Sequence, residues 1–342
     1  MPSICYQDWR NKKQSRKSCL TRHFMGRVFF FIPFFGLGDE SMKQKKISHY
    51  KTRDYQAFLY IMPWILGFLI LQLYPFMASL VYSFSDYTIG AKAEFVGLKN
   101  YIKLFTGDNE FWNCLKVTFV YTLYTVPGKL VMALAVAVFL NRDIKGINLI
   151  RTFYYIPSLF GGSVAIAILW KLMFLDNGVI NAVLNTLHLP TVQFLGDTRY
   201  ALKTICALEI WQFGSSMVMF LAALKQVPRS LYEAAEIDGA SKAKRFFRIT
   251  IPQITPIIFF NMIMQMIQAL QNFTSAFVIT EGGPLKSTYV LGMKLYKEGF
   301  SYFKMGYASA ISWVVFTVIL GITLILFGTS KFWVFYGDEG DF

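Results

Sequence analysis

The chain has 342 residues, of which 55% are hydrophobic, 18% aromatic and only 16% charged, with a mean hydropathy of +0.42. Soluble domains carry about a quarter charged residues, so the composition excludes an ordinary soluble globular protein and points to a membrane-embedded one. The net charge of +14 does not mark a nucleic-acid binder, because the lysines and arginines crowd residues 1–56 and otherwise border apolar runs, the placement that orients membrane proteins.

Residues 1–56 read as a basic cytoplasmic segment. Its apolar run Val28–Gly38 is too short to span a bilayer and no small-residue cleavage site follows it. Met42 then opens a basic lead-in to a first span, so Met42 is the expected natural start and residues 1–41 are expected to be non-native or disordered. Six segments reach the roughly 20 residues a spanning helix needs: residues 57–84, 116–140, 152–175, 202–224, 252–279 and 307–327. Residues 57–330 thus form a predicted all-α, six-helix membrane domain, and 331–342 a short tail. The four cysteines have no CxxC spacing and no His nearby, so no metal site is expected.

Loop charge sets the orientation. The loop 141–151 nets +2 (Arg142, Lys145, Arg151 against Asp143), and 225–251 nets +3 (Lys225, Arg229, Lys242, Lys244, Arg245, Arg248 against Glu233, Glu236, Asp238). Residues 85–115 and 176–201 each net −1. Both termini and both basic loops are therefore predicted to be cytoplasmic. The loop 281–305 breaks the pattern, with Lys286, Lys294, Lys297 and Lys304 against Glu281 and Glu298 on the predicted outside.

Residues 225–256 do not read as an ordinary connection. Ser230 and Glu233 have the spacing of a capping box, residues 231–238 read as a two-turn helix, and Gly239 is placed to close it in the left-handed conformation. Residues 240–250 read as a second, basic, amphipathic helix, and Pro252 and Pro256 mark the return to the membrane. On physics alone this is either a rigid docking element or an amphipathic pair resting on anionic headgroups.

The residues Glu233-Ala234-Ala235-Glu236-Ile237-Asp238-Gly239-Ala240, followed by Phe246, Ile249, Pro252 and Pro256, resemble the EAA motif of ABC-importer permeases without a gap. Thr280-Glu281-Gly282-Gly283-Pro284, residues 95–101 and residues 306–310 resemble further segments of the carbohydrate group, which holds the maltose, multiple-sugar and glycerol-phosphate permeases. The resemblance covers about residues 55–330. It implies the type I importer permease fold in a bacterial or archaeal cytoplasmic membrane, with the loop as a coupling helix docked on an ATPase. Glu233, Ala234, Ala235, Asp238, Gly239, Ala240, Phe246 and Pro252 would carry that contact. It further implies a second homologous permease, two ATPase subunits and an extracytoplasmic solute-binding protein. ATP and Mg would bind the ATPase alone, since this chain has no G-x4-GK[ST] loop.

A sugar path needs hydrogen-bonding groups inside the bundle. Asn261, Gln265, Gln268 and Asn272 recur at steps of 4, 3 and 4 on one predicted helix face, and either line such a path or bond neighbouring helices. Trp211 and Gln212 are weaker path candidates. Glu209 reads as a structural carboxylate near a span end, and Trp170 and Lys171 as interface anchors. The competing function is an ion-driven secondary transporter, which favours charged residues, broken helices and inverted repeats; no convincing repeat is present. No H-E-x-x-H or G-x-S-x-G constellation suggests an enzyme.

Overall fold

A bilayer core offers no water to backbone N–H and C=O groups, so long apolar segments must close their own hydrogen bonds, and here they do so as helices. The computed structural model describes residues 51–142 and 145–335; the expectations for residues 1–41 fall outside them. The chain divides into two compact units, Met1–Pro63 and Trp64–Phe342, and the second holds the helix bundle. Its elements are α1 (Phe58–Ser83, which begins in the first unit), α2 (Asn109–Leu140), α3 (Ile147–Leu159), α4 (Val164–Phe174), α5 (Val179–Thr186) and α6 (Thr198–Trp211). They continue with α7 (Gly214–Gln226), α8 (Arg229–Ile237), α9 (Lys242–Leu270), α10 (Thr274–Thr280), α11 (Leu291–Tyr296) and α12 (Met305–Ser330). Two-residue strands, β1 (Ser85–Asp86) and β2 (Glu94–Phe95), pair antiparallel after α1.

Among the described residues five stretches are long and apolar enough to cross a membrane: α1, α2, Val164–Thr186, α9 and α12. A sixth is reached if α6 and α7, bent by 44°, count as one. The chain is thus an all-α, multi-pass membrane protein, but three predicted spans are not single helices. Residues 152–175 split at 160–163 into α3 and α4, where Gly162 takes φ +74°. Residues 202–224 split at Gln212–Phe213, and 252–279 at Gln271–Phe273.

The two larger of three apolar clusters among the described residues hold most of the bundle. One gathers Phe111, Tyr121 and Val126 of α2 with Ile205, Leu208, Ile279 and Tyr307, and the other Ala133, Ala137 and Leu140 with Phe220, Leu224 and Ile254. On α2 the buried apolar face stops at Val126 and resumes at Ala133. Lys129 falls in that gap.

The basic loop 281–305 finds its counter-charge at the α2 end. Lys294, 1% exposed, places Nζ 2.8 Å from Asp108 Oδ2, 3.0 Å from Glu110 Oε2 and 3.8 Å from Glu298 Oε1. Lys286 also pairs with Glu110, and the Tyr307 hydroxyl donates to Asp108 at 2.6 Å. The departure from the loop-charge pattern is therefore a buried ion network joining 281–305 to 85–115, so both loops lie at one end of the bundle. The neighbouring motif residues knit the same end. Asn100 donates to the carbonyls of Ser83 and Ser85, and a Cβ at Gly306 would lie 2.1 Å from the Ser85 carbonyl oxygen.

Candidate functional site

The EAA segment forms a short exposed helix with a fixed exit. Pro228, with φ −59°, is the residue before α8, and its carbonyl accepts from the Leu231 amide. The preset φ of proline starts the helix at Arg229, which puts Ser230 inside the first turn. The expected Ser230–Glu233 capping box is therefore not formed: α8 has no side-chain cap, and a cap residue needs non-helical backbone.

At the other end the sequence expectation matches the geometry. The Ala240 amide donates to the Ala235 carbonyl at 2.9 Å and the Gly239 amide to Glu236 at 3.1 Å, with Gly239 at φ +71°. That is the Schellman closure, which needs a left-handed residue at the glycine. Tyr232 and Ile249 pack on the second apolar cluster, Tyr232 and Thr250 hydroxyls meet at 2.7 Å, and Arg245 pairs with Glu236 at 3.2 Å. The solvent side keeps Glu233, Ala234, Asp238 and Ile237, the last 89% exposed.

The predicted second amphipathic helix is not separate. From Lys242 the chain runs continuously into α9, widening to a π-type turn at Phe246–Thr250 just before Pro252. A proline removes one backbone donor and crowds the carbonyl four residues back; the wide turn absorbs that misfit. Phe246 is half-buried and Phe247 68% exposed.

The three helix breaks meet around a polar cavity of about 450 Å³, within the range of small-molecule sites. The segments around breaks 160–163 and 212–213 approach closely: a Cβ at Gly214 would lie 2.6 Å from the Tyr154 carbonyl oxygen, and one at Gly161 3.3 Å from Gln212 Oε1. Non-helical backbone at membrane depth is tolerated only inside protein or along a water-filled space, and these breaks satisfy that rule.

Of the candidate path residues, Gln212, Gln265, Gln268 and Asn272 line the cavity. Asn272 lies past the end of α9, on the break, and its buried Nδ2 has no partner. Asn261 does not line it: it is 2% exposed and bonds back to the Ile257 carbonyl, completing its own helix. Trp211 is absent from the lining and instead packs on Trp170, centroids 5.7 Å apart. Trp170 and Lys171, read as interface anchors, donate to the carbonyls of Thr204 and Val278.

Sequence reasoning overlooked Lys129. Its Nζ lies 3.9 Å from Glu209 Oε2 in the cavity wall, so Glu209 is neither lone nor near a span end. A Cβ at Gly128 would sit 2.6 Å from Ile210 Cδ1; glycine lets α2 and α6 approach closely enough for their neighbouring charges to meet. The available signal was a basic residue in the middle of a predicted span, after Pro127-Gly128.

Known proteins resemble this chain over most of its length. The chain is 45% identical over 307 residues, 89% of itself and 99% of its relative, to the probable ABC transporter permease protein YesP of Bacillus subtilis. It is 37% identical to the sulfoquinovosyl glycerol transport system permease protein SmoG of Agrobacterium fabrum, covering 79% of this chain and 88% of that one. A chain of the crystal structure of a bacterial alginate ABC transporter in complex with an alginate pentasaccharide-bound periplasmic protein has the same fold, with TM-score 0.72 at 23% identity over 82% of this chain and 95% of that one. Residues 109–335, including α8, the cavity and α12, match a single family profile, and the chain belongs to the family of binding-protein-dependent transport system inner membrane components.

Proposed function

We propose that the chain is one half of the membrane path of an ATP-driven sugar or oligosaccharide importer, coupled to a separate ATPase through α8 and the residues that follow it. The observation that carries the coupling reading is the solvent-facing side of α8, presented on a helix that Tyr232, the Schellman closure and the Arg245–Glu236 pair hold against the bundle. Such an element passes on a rigid-body displacement, which a flexible loop would dissipate.

The cargo reading follows relatives named for lactose, arabinooligosaccharides and trehalose/maltose, together with a cavity of amides and hydroxyls suited to a polyol. ATP and Mg bind the ATPase and not this chain, which is not an enzyme. The remaining partners are a second homologous permease, two ATPase copies and an extracytoplasmic binding protein, with both termini of this chain cytoplasmic in a bacterial or archaeal plasma membrane. The test is purification of the chain in lipid with its neighbours, carrying Ile237→Cys. Crosslinking of that position to a co-purified ATPase is expected. Absence of any ATPase would move the assignment to an ion-driven carrier, whose expected charged residues and broken helices this bundle does contain.

A further inference from the structure

Resting on the cargo reading above, we infer that Lys129 and Glu209 read the cargo, and that the sugar unit they take is uncharged and carries adjacent hydroxyls. An ionisable side chain held inside a membrane bundle is costly, and it persists where it serves a path or a ligand. These two are mostly buried, with side chains 12% and 24% exposed. Their heads stand 3.9 Å apart, beyond hydrogen-bond reach. Lys129 donates no hydrogen bond among the described residues, and the side chain that reaches Glu209 is the Ser275 hydroxyl. A buried ion pair contributes to stability only with good geometry and further hydrogen bonds, and this pair has a long contact with one hydroxyl beside it. Stability is therefore a poor account of it.

The same wall holds an unmet group, the buried Asn272 Nδ2. The site thus offers an ammonium and an amide as donors and a carboxylate as acceptor, all three on the cavity wall. Adjacent hydroxyls on one ring each donate and accept, so a single sugar unit bridges the gap and satisfies both charges. The charge balance selects against an acidic sugar. The cavity lining carries one lysine and one glutamate, and a cargo carboxylate would claim Lys129 while leaving Glu209 uncompensated beside it. A site built to bond hydroxyls also rejects analogues that lack them, because its own polar groups are then stranded.

The test uses the intact importer in proteoliposomes, with uptake measured for maltotriose, lactose and arabinotriose against galacturonate and alginate trisaccharides. The native complex is expected to move a neutral member. Glu209→Gln, nearly isosteric, and Lys129→Met are each expected to cut that uptake at least tenfold, chiefly through maximal rate, in complexes that still assemble. The reciprocal pair Lys129→Glu/Glu209→Lys separates cargo contact from a structural bridge, and is expected to stay impaired. Recovery of native uptake in that double variant overturns the inference, as does native uptake by Glu209→Gln. A native complex that moves none of the neutral sugars overturns the assigned class. Failure of the underlying importer reading shows separately, as an ATPase that does not co-purify with the native chain.

Discussion

Gly239 is the position where backbone conformation and coupling separate most cleanly. It sits at φ +71°, and a Cβ built there meets nothing within 4 Å, so substitution costs conformation and not space. An L-residue in the left-handed region costs about 1–2 kcal/mol, least for Asn and more for a β-branched side chain. A chain that escapes the strain by flipping out of that region loses the Ala240–Ala235 and Gly239–Glu236 bonds, each worth about 0.5–1.5 kcal/mol net. Either cost, about 1–2 kcal/mol for the strain or about 1–3 kcal/mol for the two bonds, is too local to unfold a bundle secured by apolar clusters. It is large enough to shift the proposed coupling helix between arrangements, since 1.4 kcal/mol is a tenfold change in population. The expected order of cargo moved per ATP in proteoliposomes is Gly239 above Gly239→Asn, above Gly239→Ala, with Gly239→Val at least tenfold down. All four should assemble normally. A Val variant as well coupled as the native chain would refute the reasoning.

Three further outcomes follow from the packing. Lys294→Met strips the one buried cation from among Asp108, Glu110 and Glu298, and removing one partner of a buried pair costs about 3–5 kcal/mol, readable as a lower thermal midpoint in detergent. The same network fixes a pH window. Burial works against the Asp108 carboxylate, but hydrogen bonds from Lys294, Tyr307 and the Phe111 amide outweigh it and hold its pKa below the ordinary 3.8. Burial likewise works against the Lys294 ammonium, and the bonds to Asp108 and Glu110 raise its pKa above 10.5. A depressed carboxylate gives stability above its unfolded pKa and loses it as pH falls through the folded one; a raised lysine gives its full share below its unfolded pKa and loses it as pH rises through the folded one. Midpoints should therefore be flat from about pH 5 to about pH 10 and fall outside that window, and a drop already at pH 7 would contradict the assignment. Gly214→Val should destabilise by about 1–3 kcal/mol through overpacking, because the clash is with the backbone of Tyr154 and Tyr155, which no side-chain rotation relieves.

Much of the bundle was legible because hydropathy and loop charge act over long stretches. The EAA motif was legible because its glycine, alanines and prolines each answer a local backbone need. The breaks were not, since a hydropathy window registers Phe160–Ser163 as it does its neighbours, and no proline precedes the bend at Gln212–Phe213. Helical spacing placed Gln265 and Gln268 on the cavity face, but it could not show Asn261 turning back on Ile257 or α9 ending before Asn272. Lys129 was visible, whereas its partner lies far along the chain and is brought close by Gly128 against Ile210.

That pairing bears on how membrane sequences are weighed. Charged residues and broken helices were set down as signs of an ion-driven carrier, yet this member of a binding-protein-dependent family contains both. A polar path through a bilayer needs hydrogen-bonding groups at mid-depth, and non-helical backbone is tolerated there only inside protein or along a water-filled cavity. Broken helices and buried charges are thus compatible with a path whatever drives it. On the proposed reading the driving force is written elsewhere, in the short helix that carries Glu233 to Ile237 on its exposed side.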